Sequence, residues 1–159
     1  MEGRRVDAFS AQLNEVLVDT FRCILKVEER AIRNSEKVDL SISEMHLIES
    51  VGKKGSPGST IGDIASDLSI KPPSVTVAIN KLMKKGYVRK VRSENDGRVV
   101  HVMLTALGNR IDAVHRHFHE SMVRSVTREL SEEEKDAMFK GIKKLNAFFK
   151  KKLVSLEDK

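Results

Sequence analysis

The 159-residue chain has one cysteine, Cys23, so it can close no internal disulfide and offers no Cys-x-x-Cys metal pair. No apolar run approaches the roughly 18 residues that a bilayer crossing needs. Met1-Glu2-Gly3-Arg4-Arg5 leads into an amphipathic pattern rather than an apolar signal core, so the expected location is cytoplasmic with no membrane partner. A Gly-rich phosphate loop, Gly-x-Ser-x-Gly and His-Glu-x-x-His are all missing. Nothing therefore supports an enzyme, and no cofactor is expected. Internal repeats and low-complexity tracts are missing too. Hydrophobic residues at 40% and charged residues at 33% are the balance of an ordinary globular domain, here one domain or one with a helical extension.

What the chain does have is concentrated positive charge. Residues 71–101 hold eight basic side chains (Lys71, Lys81, Lys84, Lys85, Arg89, Lys90, Arg92 and Arg98) against Glu94 and Asp96, so this segment carries the whole formal net charge of +6. A field focused in this way attracts a polyanion, although a solvated basic face would have the same composition.

Apolar spacing predicts the elements. Val6 to about Arg33 reads as a long helix, followed by a polar break at Asn34-Ser35-Glu36-Lys37. A second helix runs from Ser43, taken as its cap, to about Lys53, and a loop over Gly52–Gly58 follows. Thr60 to Leu68 is a short helix with a Thr60/Asp63 capping box. Ser69-Ile70-Lys71 is a tight turn, and Pro72 suits the first position of the next helix, which stops at Gly86. Tyr87–Arg92 and Val99–Leu104 read as strands joined by a hairpin containing Asn95-Asp96-Gly97. Thr105 caps a long helix to about Glu129, and Ser131 and Glu134 open the last one. The expected fold is mainly α with a small β-hairpin wing: a winged helix-turn-helix over residues 41–105, flanked by helices at 1–40 and 106–159 whose apolar stripes suit a homodimer.

On a wheel of about 100° per residue, Val75, Ala78, Ile79, Leu82 and Met83 gather on the core side. Pro73, Val77, Asn80, Lys81 and Lys84 gather on the other. That outer set suits a major groove. Asn80 can pair bidentately with adenine, and Val77 can meet a thymine methyl. Lys81 and Lys84 can neutralise phosphates, while Ser74 and Thr76 can bond phosphate or base edges. At the wing, Arg98 can enter a minor groove and Asp96 can hold the tip by pairing with Arg98 or a neighbouring base. Arg89 and Arg92 are candidate phosphate contacts, and Thr60 and Lys71 complete the expected double-stranded DNA surface.

With these pieces placed, the chain resembles the MarR family of regulators over nearly its whole length. The resemblance rests on Thr60-Ile61-Gly62-Asp63-Ile64-Ala65, Ser74-Val75-Thr76, Leu82-Met83-Lys84-Lys85-Gly86-Tyr87-Val88, Asp96-Gly97-Arg98 and Leu104-Thr105-x-x-Gly108. It implies a homodimeric repressor, a pseudo-palindromic operator and an effector pocket. The family often has arginine where Val77 stands, which implies a different base preference here. Val27-Glu28-Glu29, Ile42-Ser43-Glu44-Met45-His46, Val91-Arg92-Ser93-Glu94, Val99-Val100-His101 and His115-x-x-Phe118-His119 resemble the FabT-type subgroup. That implies control of fatty-acid biosynthesis genes, with acyl-acyl carrier protein as effector.

Phe21, Met45, His46 and Phe118 can line an apolar effector pocket, although core packing would read the same way. Family members that respond to zinc have histidines at places matching His46, His115 and His119, so these with Glu28 form a candidate metal set. The alternative is that they hydrogen-bond to hold the structure together. Cys23, beside Ile24 and Leu25, is expected to be a buried structural thiol. Two alternative functions remain: a zinc-responsive repressor and a winged-helix protein-interaction module.

Overall fold

The structure, a computed structural model, describes residues 7–35, 38–93 and 96–157. The expected helix start at Val6, the Glu36-Lys37 break, and Glu94 and Asn95 of the hairpin lie outside the described residues. Among the described residues eight elements follow in order: α1 (Ala8–Ser35), α2 (Ile42–Gly52), α3 (Ile61–Leu68), α4 (Pro72–Lys84), β1 (Val88–Arg92), β2 (Val100–Leu104), α5 (Ala106–Thr127) and α6 (Glu132–Glu157). The fold is mainly helical with a two-stranded hairpin, as the apolar periodicity predicts. The chain divides into two compact units, Met1–His46 and Leu47–Lys159.

In the first unit Asp7 precedes α1, and its carboxylate accepts the Ser10 backbone N–H at 2.9 Å. Helix α2 is capped two residues earlier than expected. Ser41, not Ser43, accepts the Glu44 N–H at 3.3 Å, while the Glu44 carboxylate accepts the Ser41 N–H at 2.9 Å. This reciprocal box needs an acid three residues on, and only Ser41 has one.

The second unit holds the helix-turn-helix and the wing. Its core is a cluster of fully buried Ile48, Ile64, Val75, Ile79, Leu82 and Val102, contributed by α2, α3, α4 and β2. Met83, expected on that inner side, is 38% exposed and lies at its edge. The Thr60 hydroxyl caps α3 by accepting the Asp63 N–H at 3.1 Å. Ser69 takes the left-handed conformation (φ 52°, ψ 47°) and turns the chain into α4, where Pro occupies the first helical positions. Helix α4 ends as a Schellman motif. The Gly86 N–H bonds Met83 O and the Tyr87 N–H bonds Leu82 O, both at 3.0 Å, and Gly86 sits at φ +80°, where a Cβ would be strained.

Strands β1 and β2 pair antiparallel, with Val88 opposite Leu104 and Arg92 opposite Val100. Ser59 adds a single antiparallel bridge to Val102, with hydrogen bonds of 3.0 and 2.7 Å. Thr105 caps α5, accepting the Gly108 N–H at 3.1 Å and donating its hydroxyl to Gly86 O at 2.7 Å. Ser131 and Glu134 form the expected box on α6.

The α3 cap makes part of the stability acid-labile. Lys54 Nζ lies 2.8 Å from Asp63, whose carboxylate also accepts the Thr60 N–H at 2.9 Å. The Lys54 contact first, and then the Thr60 bonds, hold the Asp63 carboxyl well below its ordinary value of 3.8. A depressed carboxylate stabilises the fold above its unfolded value and loses that contribution as pH falls toward the folded one. Thermal melts should therefore show wild type losing stability below about pH 4, with a shallower acid slope in Asp63→Asn. Parallel pH profiles of the two proteins would rule this cap out as a source of acid sensitivity.

Candidate nucleic-acid interface

Helix α4 presents two chemically distinct sides. Val75, Ile79 and Leu82 are completely buried, whereas Val77 is 72% exposed, so an apolar β-branched side chain stands in solvent on a helix anchored by its opposite face. Pro73, Ser74, Asn80, Lys81 and Lys84 are exposed with it, as is Lys71 just ahead of the helix. Thr76 is half-buried and donates its hydroxyl to Pro72 O at 3.1 Å, so it keeps only acceptor capacity for another partner. The half-buried Thr60 hydroxyl is engaged twice with Asp63, donating to its carboxylate at 2.8 Å and accepting its N–H. Any contact Thr60 made beyond the chain would compete with the α3 cap.

On the wing, Arg89, Arg92, Asp96 and Arg98 are exposed. Arg89 Nη2 reaches Met103 Sδ at 3.6 Å. Asp96 shapes the tip differently from expectation: its carboxylate accepts the backbone N–H of Arg98 at 2.9 Å. An aspartate bonding the main chain two residues on makes an Asx turn, which rigidifies the tip without using the Arg98 guanidinium.

Asn80 has a partner that the sequence reading missed. Lys90 Nζ of β1 donates to Asn80 Oδ1 at 2.8 Å. In the sequence Lys90 stands out only as one member of the basic cluster. The contact links residues ten apart across the α4 terminus, and helical periodicity carries no trace of it.

The other expected residues divide between the two units of the chain. In the first unit, Phe21 is exposed on α1, Met45 is buried, and half-buried His46 has Nε2 3.9 Å from the buried Glu28 Oε1. In the second unit, His115 is buried and its Nε2 lies 3.1 Å from His119 Nε2, the rings edge-on at 89°. That separation suits a shared proton, and it is also close to the roughly 3.3 Å expected between two imidazole nitrogens on one tetrahedral zinc. His115 Nδ1 is 3.5 Å from Glu49. Nearby Asp112 is buried and bonded to Arg116 at 3.0 Å, and burial pushes its carboxyl up from the ordinary value. Phe118 is half-buried, with its ring 5.3 Å from that of His119.

Cys23 corrects an expectation, because it is exposed. Ile24 lies about 100° and Leu25 about 160° away from it around the helix. One turn back, Asp19 Oδ2 is 3.9 Å from Sγ, an acidic neighbour rather than the electropositive setting of a reactive thiol.

Residues 32–114 match the family described as transcriptional regulator SarA/Rot. The structure of Streptococcus pneumoniae FabT in complex with DNA superposes with a TM-score of 0.82 at 39% identity, covering 89% of this chain and 97% of that one. MepR of S. aureus, also solved as a DNA complex, shares the fold at a TM-score of 0.66 and 22% identity, covering 82% of this chain and 94% of MepR. The HTH-type transcriptional regulator YfiV of Bacillus subtilis is 30% identical over 107 residues, 67% of this chain and 65% of its own. The match thus spans slightly less than two thirds of that relative. With a winged helix-turn-helix built from its own residues and these likenesses beside it, the chain belongs to the SarA/Rot family of transcriptional regulators, as a FabT-like protein of the MarR type.

Proposed function

We propose that two copies of this chain bind a pseudo-palindromic duplex DNA site and repress genes of fatty-acid biosynthesis, with acyl-acyl carrier protein as effector. The observation that carries the DNA reading is the outer side of α4: Val77, Asn80, Lys81 and Lys84 lie exposed on a helix whose opposite side is fully buried. One apolar tip, one amide and two ammonium groups are what a major groove accommodates through a thymine methyl, a base edge and phosphates. Pro73, Ser74 and Thr76 line the start of the same helix, with Lys71 ahead of it and Thr60 at the α3 cap. Arg89, Arg92 and Arg98 extend the positive surface along the wing, and Asp96 sets the tip from which Arg98 projects.

Dimerisation is supported by apolar side chains left in solvent on both outer helices. Phe9, Leu13, Val16 and Leu25 are at least half exposed on α1, as are Phe139, Ile142 and Phe148 on α6. Apolar surface of this extent marks an interaction site. On this reading residues 1–40 and 106–159 dimerise and 41–105 bind DNA. The fatty-acid role rests on the likeness to FabT, with Phe21, Met45, His46 and Phe118 as effector candidates. Zinc sensing through Glu28, His46, His115 and His119 is the second reading, favoured by the 3.1 Å approach of His115 and His119.

Sequencing the genomic fragments retained by the purified protein tests all of this. Enrichment upstream of lipid-synthesis genes is expected, and zinc readded after chelation should leave the set unchanged. A zinc-dependent set would favour the metal reading, and no enrichment would end the DNA reading. Arg98→Ala should bind the recovered fragments about tenfold more weakly, whatever their sequence, with an unaltered melting curve. Wild-type affinity in Arg98→Ala would remove the wing contact.

A further inference from the structure

We propose that Lys90 is a specificity-determining residue: it fixes the Asn80 side chain so that the pair reads guanine rather than adenine. The inference rests on the DNA reading above and deepens it.

The chemistry is settled by a single contact. Lys90 Nζ lies 2.8 Å from Asn80 Oδ1. An ammonium has three donors and no acceptor, whereas a carboxamide has an acceptor end and a donor end. The amide oxygen must therefore face Lys90, because turning the amide over would set NH2 against NH3+. The backbone holds the two residues in reach. The Schellman bonds at Gly86 and Tyr87 fix the direction in which β1 leaves α4. Lys90 then pairs with Val102 across the hairpin, which anchors its main chain.

Adenine offers the major groove one acceptor, N7, and one donor, the N6 amino group; guanine offers two adjacent acceptors, N7 and O6. A free asparagine matches adenine, using its NH2 on N7 and its oxygen on N6. Here the oxygen already accepts from an ammonium. Its second lone pair does not restore adenine, since the N6 amino group would then crowd Lys90, donor against donor. The pair offers instead the Asn80 NH2 and the remaining Lys90 N–H groups, donors that suit N7 and O6 of one guanine. Both residues are exposed, so the donors are available to an incoming duplex.

Selection from a random duplex library, run with wild type, Lys90→Met and Asn80→Ala, tests this. Wild type should select guanine at one base pair of each half-site, about tenfold over adenine. Asn80→Ala should erase the preference at that pair alone. Lys90→Met should shift it toward adenine while the other pairs keep their order, because the released amide can use both ends. Adenine selected by wild type at the Asn80-dependent pair would overturn the inference. So would a Lys90→Met protein that binds every sequence equally more weakly, the mark of a phosphate contact. If wild type enriches no sequence while folded, the DNA reading itself fails and this inference falls with it.

Discussion

Gly108→Ala is expected to destabilise the chain by about 3 kcal/mol, lowering Tm by roughly 10 °C. A Cβ at Gly108 would stand 2.1 Å from Tyr87 O and 3.3 Å from Leu104 Cβ. Neither neighbour can yield cheaply. The Tyr87 carbonyl also accepts the Thr105 N–H at 3.0 Å, and the Thr105 side chain is held by Gly86 O and by the Gly108 N–H. The first turn of α5 is thus bonded directly onto the start of β1, and a methyl group there must break the α5 cap or push the wing strand away. Gly141→Ala is the control. Nothing lies within 4 Å of its would-be Cβ, and it sits within α6. Replacing an open helical glycine should stabilise by about 0.5–1 kcal/mol. Two substitutions of the same kind should therefore move Tm in opposite directions, as read by thermal melting. A small effect at Gly108 would mean that α5 does not approach Tyr87 this closely.

The contrast between those glycines also shows which features were legible in the sequence. Relations spanning three or four residues could be read directly. The Thr60/Asp63 and Ser131/Glu134 boxes, Pro72 at the head of α4, the Gly86 stop and the Thr105 cap follow from local hydrogen-bonding needs that the residue types declare. The α2 cap was legible too, in the Ser41/Glu44 spacing, but Ser43 stood closer to the apolar stripe and drew the assignment. What could not be read depends on how elements meet. Lys90 reaches Asn80 only because the chain reverses at Gly86 and the hairpin brings β1 beside α4. Gly108 appears as part of a resemblance, yet the carbonyl it must accommodate is that of Tyr87, in the turn between α4 and β1. Cys23 was misplaced because its neighbours Ile24 and Leu25 imply burial, whereas much of the apolar stripe of α1 is itself exposed within one chain. Periodicity identifies a face that seeks burial without saying whether the same chain or a second copy covers it.

The most discriminating measurement on the proposed function is the dependence of DNA affinity on salt. Each chain offers Lys71, Lys81, Lys84, Arg89, Arg92 and Arg98 on the proposed face, so a bound dimer would engage phosphates from two such sets. A protein that neutralises six to ten phosphates releases as many condensed cations, and its affinity falls by about a thousandfold or more between 50 and 200 mM salt. A shift assay on a selected fragment should show a fall of that size. The charge substitutions then divide the surface. Lys84→Gln and Arg92→Gln should each reduce the slope of log affinity against log salt by about two, one for each chain of the dimer, on every sequence alike. Asn80→Ala should leave the slope unchanged and lower affinity only on the preferred site, since a neutral amide on a base edge releases no cation. An interaction module for another protein predicts otherwise: little affinity for duplex DNA even at low salt, and no systematic response to either class of substitution. A shallow slope combined with tight binding would mean that the positive charge of residues 71–98 does not face the duplex, and the α4 and wing assignments would fail together.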